Sequence, residues 1–187
     1  MKHQFRYHLL ASIVLFTIVA ATLIIFRVEN IKLLWLFLGI SLGTIILDTD
    51  HLLFWFFLKP NLEESRLVKL AFKNKDFLPI IRLINIGRQK HHNLIFHHYF
   101  FQIILTLFSL FILTSTNNIF TSGLVLSINL HLIVDELIDY FHDPKILQKW
   151  LFARESNQLP IKFLGRYLTV FIIIFSLFTF LFIKMNL

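Results

Sequence analysis

Five carboxylates and imidazoles lie where long apolar runs should carry hydrocarbon only. They form two clusters, Asp48-Thr49-Asp50-His51 and His131-Leu132-Ile133-Val134-Asp135. A third cluster, His91-His92-Asn93-Leu94-Ile95-Phe96-His97-His98, opens another apolar run. An ionisable group at membrane depth costs about 2.5–3.5 kcal/mol on insertion scales, so such groups mark an ion, proton or catalytic path. Residues three and four apart share a helix face. Asp48 with His51, and His131 with Asp135, therefore pair on their helices. Asp139 and His142 extend the second stripe, Asn93 and His97 share a face in the third cluster, and His92 joins from just outside it. An imidazole beside a carboxylate is either two metal ligands or one ligand and its orienter. Asp48, Asp50, His51, His92, His97, His131 and Asp135 are enough donors for one or two divalent ions.

The chain has no cysteine, which leaves His and carboxylate as ligands and excludes thiolate sites and disulfides. No Lys or Arg interrupts the apolar cores that hold these acids. Several carboxylates there would repel one another unless protonated or bound to a cation. A metal site is the reading that accounts for both residue types. The competing readings are a buried polar network and a proton or ion path. For an ion path, the first and fifth apolar runs offer no polar partner in the outer half.

The elements that must position these residues are membrane helices. Of 187 residues, 57% are hydrophobic and 23 are Phe, with a mean hydropathy of +0.73. The excess comes in blocks rather than in periodic faces. Five blocks approach the roughly 20 residues of a span: 9–26, 33–58, 99–115, 119–140 and 163–183. The second is long enough that it must tilt or lay its 52–58 end in the interface. The first lacks a small-x-small cleavage site and reads as a retained helix rather than a signal peptide. The expected fold is all-α: a polytopic bundle of about five transmembrane helices in one integral membrane domain, residues 1–187.

All but three of the 18 basic residues (Arg27, Lys32 and Lys184) fall on the side holding the amino terminus and segment 59–98. Positive residues stay cytoplasmic, so the expected topology is amino terminus in and carboxyl terminus out. All three clusters then sit at the cytoplasmic leaflet. Within 59–98, Asn61 can cap a helix, Glu63 and Glu64 suit its first turn, and apolar residues alternate with Arg66, Lys69 and Lys73. This predicts one interfacial amphipathic helix, interrupted at Pro79. The net charge of +7 follows membrane side and lacks interleaved aromatics, so nucleic acid is not an expected partner.

The pattern Asp48-x-Asp50-His51, His92-x4-His97, His131-x3-Asp135 resembles the bacterial LexA-regulated, membrane-bound metal-dependent hydrolase-like family. Its members show P-D-x-D-H, H-R-G-x-T-H-S and H-x3-D motifs on successive transmembrane helices. The resemblance runs from about Gly39 to Asp139. Leu47 stands in place of the proline, and Asn93, Leu94, Phe96 and His98 in place of Arg, Gly, Thr and Ser. The resemblance implies a metal site more than any given substrate. With the topology, the expected function is an inner-membrane metal-dependent hydrolase that uses Zn²⁺, Mn²⁺ or Fe²⁺ at the cytoplasmic leaflet, on a phosphoester or lipid-linked substrate. Asp139 or Glu136 is the expected base, and Arg88 or Lys90 the expected phosphate holder. The alternatives are a non-enzymatic metal-binding or transport protein and a di-iron His-box lipid oxygenase. The oxygenase needs about eight clustered His, whereas His3 and His8 of the nine here lie at the amino terminus. Gly39-Ile40-Ser41-Leu42-Gly43 matches a nucleophile elbow in letters, but that motif needs a strand–turn–helix setting. Inside a membrane helix its glycines instead predict close helix packing.

Overall fold

The computed structural model describes residues 4–87 and 94–186, and the described residues are helical with short connections. In chain order the helices are α1 (Gln4–Ile25), α2 (Asn30–Ile46), α3 (Thr49–Leu53), α4 (Glu63–Lys73), α5 (Leu78–Gly87), α6 (Tyr99–Ser115), α7 (Ile119–His142), α8 (Pro144–Leu151) and α9 (Ile161–Asn186). All five apolar blocks are helical. Among the described residues, four stretches are long and apolar enough to cross a bilayer: Arg6–Ile25, Asn30–Leu58, Ile119–His142 and Ile161–Asn186. The fifth, α6, is shorter at 17 residues and reaches about 25 Å. The chain is a membrane protein built as a helical bundle.

The centre of the bundle is α7, which packs against α1, α2, α6, α8 and α9. Of its apolar window 61% is buried, against 17% for α9, so α9 faces lipid while α7 faces protein. The tightest seam joins α7 to α2. The two helices run parallel, with Gly39 against the Phe120 carbonyl and Gly43 against Leu124 and Ser127. A Cβ on Gly43 would lie 2.6 Å from the Leu124 oxygen, so only glycine permits this approach. The glycines flanking Ser41 therefore pack helices, as the membrane setting predicted. Hydroxyls extend the seam: Thr44 Oγ1 lies 3.0 Å from Ser127 Oγ, and Ser127 Oγ donates to the Ile40 carbonyl at 2.8 Å. One end of the bundle is apolar, with Leu15, Val19, Leu36, Leu126, Phe178 and Phe182 forming a core. The acids and histidines lie at the opposite end.

Three local features differ from the sequence expectation. The second apolar block is not one straight helix. Its ladder tightens after Ile46, where Asp48, Asp50 and His51 N–H groups donate to Ile45, Leu47 and Asp48 carbonyls, three residues back instead of four. The chain then resumes as α3 and a wider π-helical turn over Phe54–Leu58. Asp48–His51 thus sits in a break, and the excess length is absorbed there rather than by tilt alone. Second, the predicted single amphipathic helix is two, α4 and α5. Leu62, not Asn61, is the N-cap of α4, and it makes no side-chain capping bond. Pro79 falls in the first turn of α5, where its missing N–H is harmless. Third, the connection between the fourth and fifth apolar blocks carries a further helix, α8. Asp143 caps it by accepting the Lys145 N–H at 2.9 Å, with Pro144 at the first position. Its Leu147, Trp150 and Leu151 pack on Leu164 and Leu168 of α9.

Candidate metal centre

Four segments meet at the polar end of the bundle: the start of α1, the break after α2, the turn before α6 and the last third of α7. Asp135 is at the centre and fully buried. Its Oδ1 lies 2.7 Å from His8 Nε2, and its Oδ2 lies 3.3 Å from both His97 Nε2 and His131 Nε2. The His8 ring stacks on His131 with centroids 4.0 Å apart and planes at 14°. Asp48 Oδ1 approaches His131 Nε2 to 3.8 Å.

The far nitrogens of two of these rings fix what the near ones present. His131 Nδ1 is 2.7 Å from the Thr44 carbonyl oxygen, which can only accept, so Nδ1 carries a hydrogen. His97 Nδ1 is 3.2 Å from Asp50 Oδ2. The same Asp50 carboxylate accepts the backbone N–H groups of Ile95 (3.1 Å) and Phe96 (2.6 Å). A carboxylate with three such donors orients the ring. In their neutral forms His97 and His131 would both aim an Nε2 lone pair at the Asp135 carboxylate. Lone pair against carboxylate is repulsive unless a proton or a metal cation lies between them.

The spacing fits a cation. Metal–ligand bonds of about 2.0–2.2 Å around a tetrahedral ion separate neighbouring donor atoms by roughly 3.3–3.6 Å. The two Nε2–Oδ2 distances of 3.3 Å meet that spacing. His8, His131 and Asp135 each offer a donor atom within 4.8 Å of the others, and this buried group can hold a metal ion.

The structure brings the sequence-identified residues together unevenly. Asp48, Asp50, His97, His131 and Asp135 meet around one point. His51 is buried beside them, its ring 6.2 Å from the His97 ring. Arg88, Lys90 and His92 lie outside the described residues, as does Asn93. His97 is in the turn before α6 and not on the helix expected there, because Asp50 holds the N–H groups of residues 95 and 96. His98 is the N-cap of α6, its Nδ1 accepting the Phe100 N–H at 3.3 Å. Burial, and then the Arg154 guanidinium, hold the His98 imidazole below its usual range against an opposing pull from Glu155. A neutral ring is what the cap requires.

The two expected bases separate. Asp139 is buried on the Asp135 stripe, and its Oδ2 accepts the Trp150 indole N–H at 2.7 Å. The Trp150 ring in turn lies edge-on to His97 at 6.1 Å. Glu136 faces a different set of partners. Its Oε2 accepts from Gln102 Nε2 at 3.2 Å, and Gln102 Oε1 accepts the Tyr167 hydroxyl.

His8 is the residue that sequence reasoning missed. The first apolar run is expected to offer an ion path no polar partner in its outer half, but at its amino-terminal end His8 is 3% exposed and Ser12 Oγ lies 2.7 Å from Thr44 Oγ1. A signal was present: His8 and Ser12 are four apart and continue into the buried stripe Leu15, Val19 and Leu23. No known protein family, curated protein or solved structure matches this chain.

Proposed function

We propose that the protein is a metal-dependent hydrolase working at the cytoplasmic leaflet of a bacterial inner membrane, on a phosphoester or lipid-linked substrate. The observation that carries the reading is the convergence of His8, His97 and His131 Nε2 on the Asp135 carboxylate, with two of the rings locked from behind. His8, His97, His131 and Asp135 would hold the ion, with Asp48 next to them. Asp50 and the Thr44 carbonyl serve as orienters. His51 and His92 are candidates for a second ion. A bound Zn²⁺, Mn²⁺ or Fe²⁺ would supply Lewis acidity that polarises a scissile bond and acidifies water.

The protein's own groups divide the remaining work. Asp139, one turn beyond Asp135 on α7, is the base, its carboxylate held in place by the Trp150 N–H. Arg88 and Lys90 supply positive charge for a phosphate from the segment before the His97 turn. The membrane side follows from the basic residues: α4 carries Arg66, Lys69 and Lys73, and α8 carries Lys145 and Lys149. The resemblance in motif order and spacing supports the same chemistry.

The test is metal content by mass spectrometry on detergent-purified protein, wild type beside His97→Ala, followed by a phosphoester and phospholipid screen. One or two equivalents of a transition metal in wild type, less in the variant, with metal-dependent hydrolysis, is the expected outcome. No metal after reconstitution of folded wild type would overturn the reading. Metal without hydrolysis of any substrate would leave a metal-binding or transport protein.

A further inference from the structure

Two helices that lend residues to the metal centre also form the walls of a groove that leads away from it. The groove has a volume of about 350 Å³ and lies between α1 and α2. Its walls are Leu9, Ile13 and Phe16 on one side and Phe37, Ile40 and Ile45 on the other. The helices run antiparallel here, Ser12 meeting Thr44 at one level and Phe16 meeting Phe37 edge-on, 5.6 Å apart, at another. One end of the groove therefore abuts the centre: His8 immediately precedes Leu9, and Asp48 follows Ile45 by three residues. The Phe16–Phe37 pair lines the other end. From His8 to Phe16 the rise along α1 is about 12 Å.

The floor of this groove has hydroxyls from Ser12, Ser41 and Thr44, and those of Ser12 and Thr44 are consumed internally. Ser12 and Thr44 bond each other, and Thr44 also bonds the Ile40 carbonyl at 2.7 Å. Apart from Ser41, what remains facing the groove is hydrocarbon. Its rim residues Leu9, Ile13, Phe37 and Ile45 are exposed on helices long enough to span the membrane, so the mouth opens sideways into the bilayer and not into water.

We propose that this groove holds one acyl chain of a membrane glycerophospholipid, whose headgroup end then lies at His8 and Asp135. The inference rests on the hydrolase reading for what happens to the headgroup, and it assigns the substrate class: a phospholipid taken laterally from the leaflet, not a soluble phosphoester. A chain bound along the groove would exit the Leu9–Ile45 end with its polar end against the buried carboxylate and imidazoles. The Phe16–Phe37 pair sets how far the tail runs between the helices before it must bend out into lipid.

The test is photolabelling of the full chain in nanodiscs with a long-chain phosphatidic acid that carries a diazirine midway along one acyl tail. The expected labels fall mainly on residues 9–16 and 37–45. Ser41→Phe, which fills the groove from the α2 side, should reduce them about tenfold, the affinity carried by roughly two buried methylenes. Ile13→Trp, filling it from α1, should do the same if Ser41→Phe does not fold. Labels spread evenly onto exposed Leu107 and Phe111 of α6, and unchanged in both variants, would overturn the proposal. Stronger displacement by a polyprenyl phosphate than by unlabelled phosphatidic acid would overturn the acyl assignment. Labelling needs no turnover, so the two readings fail separately. Focused labelling without any hydrolysis keeps the groove and sinks the hydrolase. Unfocused labelling with hydrolysis of a soluble phosphoester sinks the groove alone.

Discussion

Asp135 and Glu136 are neighbours on α7, both buried, and they serve two different chemistries. A helix turns about 100° per residue, so one carboxylate faces α1 and the turn before α6 while the other faces α6 and α9. Around Asp135 the neighbours are imidazole Nε2 atoms, and in two of these rings the opposite nitrogen, Nδ1, faces Thr44 or Asp50. Around Glu136 the neighbours form a hydrogen-bonded chain: the Gln102 amide donates to Glu136 and accepts from Tyr167. The first arrangement offers lone pairs to a cation. The second uses its donors and acceptors on itself and ties three helices together. A buried acid thus sits in a group that can hold a metal, or in a structural bond, according to whether its partners bring lone pairs or hydrogens, and its depth decides nothing.

The sharpest way to break this contrast is to neutralise each acid in turn. Asp135→Asn should abolish stoichiometric metal binding, whereas Glu136→Gln should retain it, both read by mass spectrometry of purified protein. Equal loss from both would show that the two clusters are one site. His8→Ala should weaken metal binding strongly, because it removes both a donor atom and the ring stacked on His131. His98→Ala is its control: it loses only a helix cap, costing about 1 kcal/mol of stability with metal retained. Asp50→Asn should lower metal affinity by about 10–100-fold without removing a donor atom, in keeping with an orienting role. Competition with a chelator of known affinity would measure it, and an unchanged affinity would make the Asp50–His97 contact incidental.

Two smaller effects sharpen the same contrast through stability alone. Gly43→Ala should cost about 1–3 kcal/mol by forcing α2 off α7, seen as a lower melting temperature in detergent. Because Thr44 carries the acceptor for His131, metal affinity should fall with it. Tyr167→Phe removes one hydroxyl from the Glu136 cluster and should cost about 1 kcal/mol, with metal content unchanged. A drop in metal content there would couple the clusters after all.

Much of the fold was legible in the sequence, because hydropathy is local. Each apolar block reports its own need for lipid or protein whatever the rest of the chain does, and all five became helices. The His131–Asp135 pair was legible for the same reason, since a spacing of four fixes a shared face before any packing occurs. The break at Asp48 was not legible. No proline or glycine marks it, and the tightened turn is held together by what Asp48 and Asp50 touch across the bundle.

What only the tertiary structure decided is which residues meet. His8 lies at the far end of the sequence from Asp135, on a helix that reads as a plain apolar span. It becomes a candidate ligand because α1 packs beside α7 with its first turn level with the last third of that helix. The separation of Asp135 from Glu136 was decided in the same way, by which helices flank each face of α7. Composition and periodicity place the residues on helices. The crossing of those helices, set by glycines and hydroxyls along the α2–α7 seam, determines which side chains share a point in space.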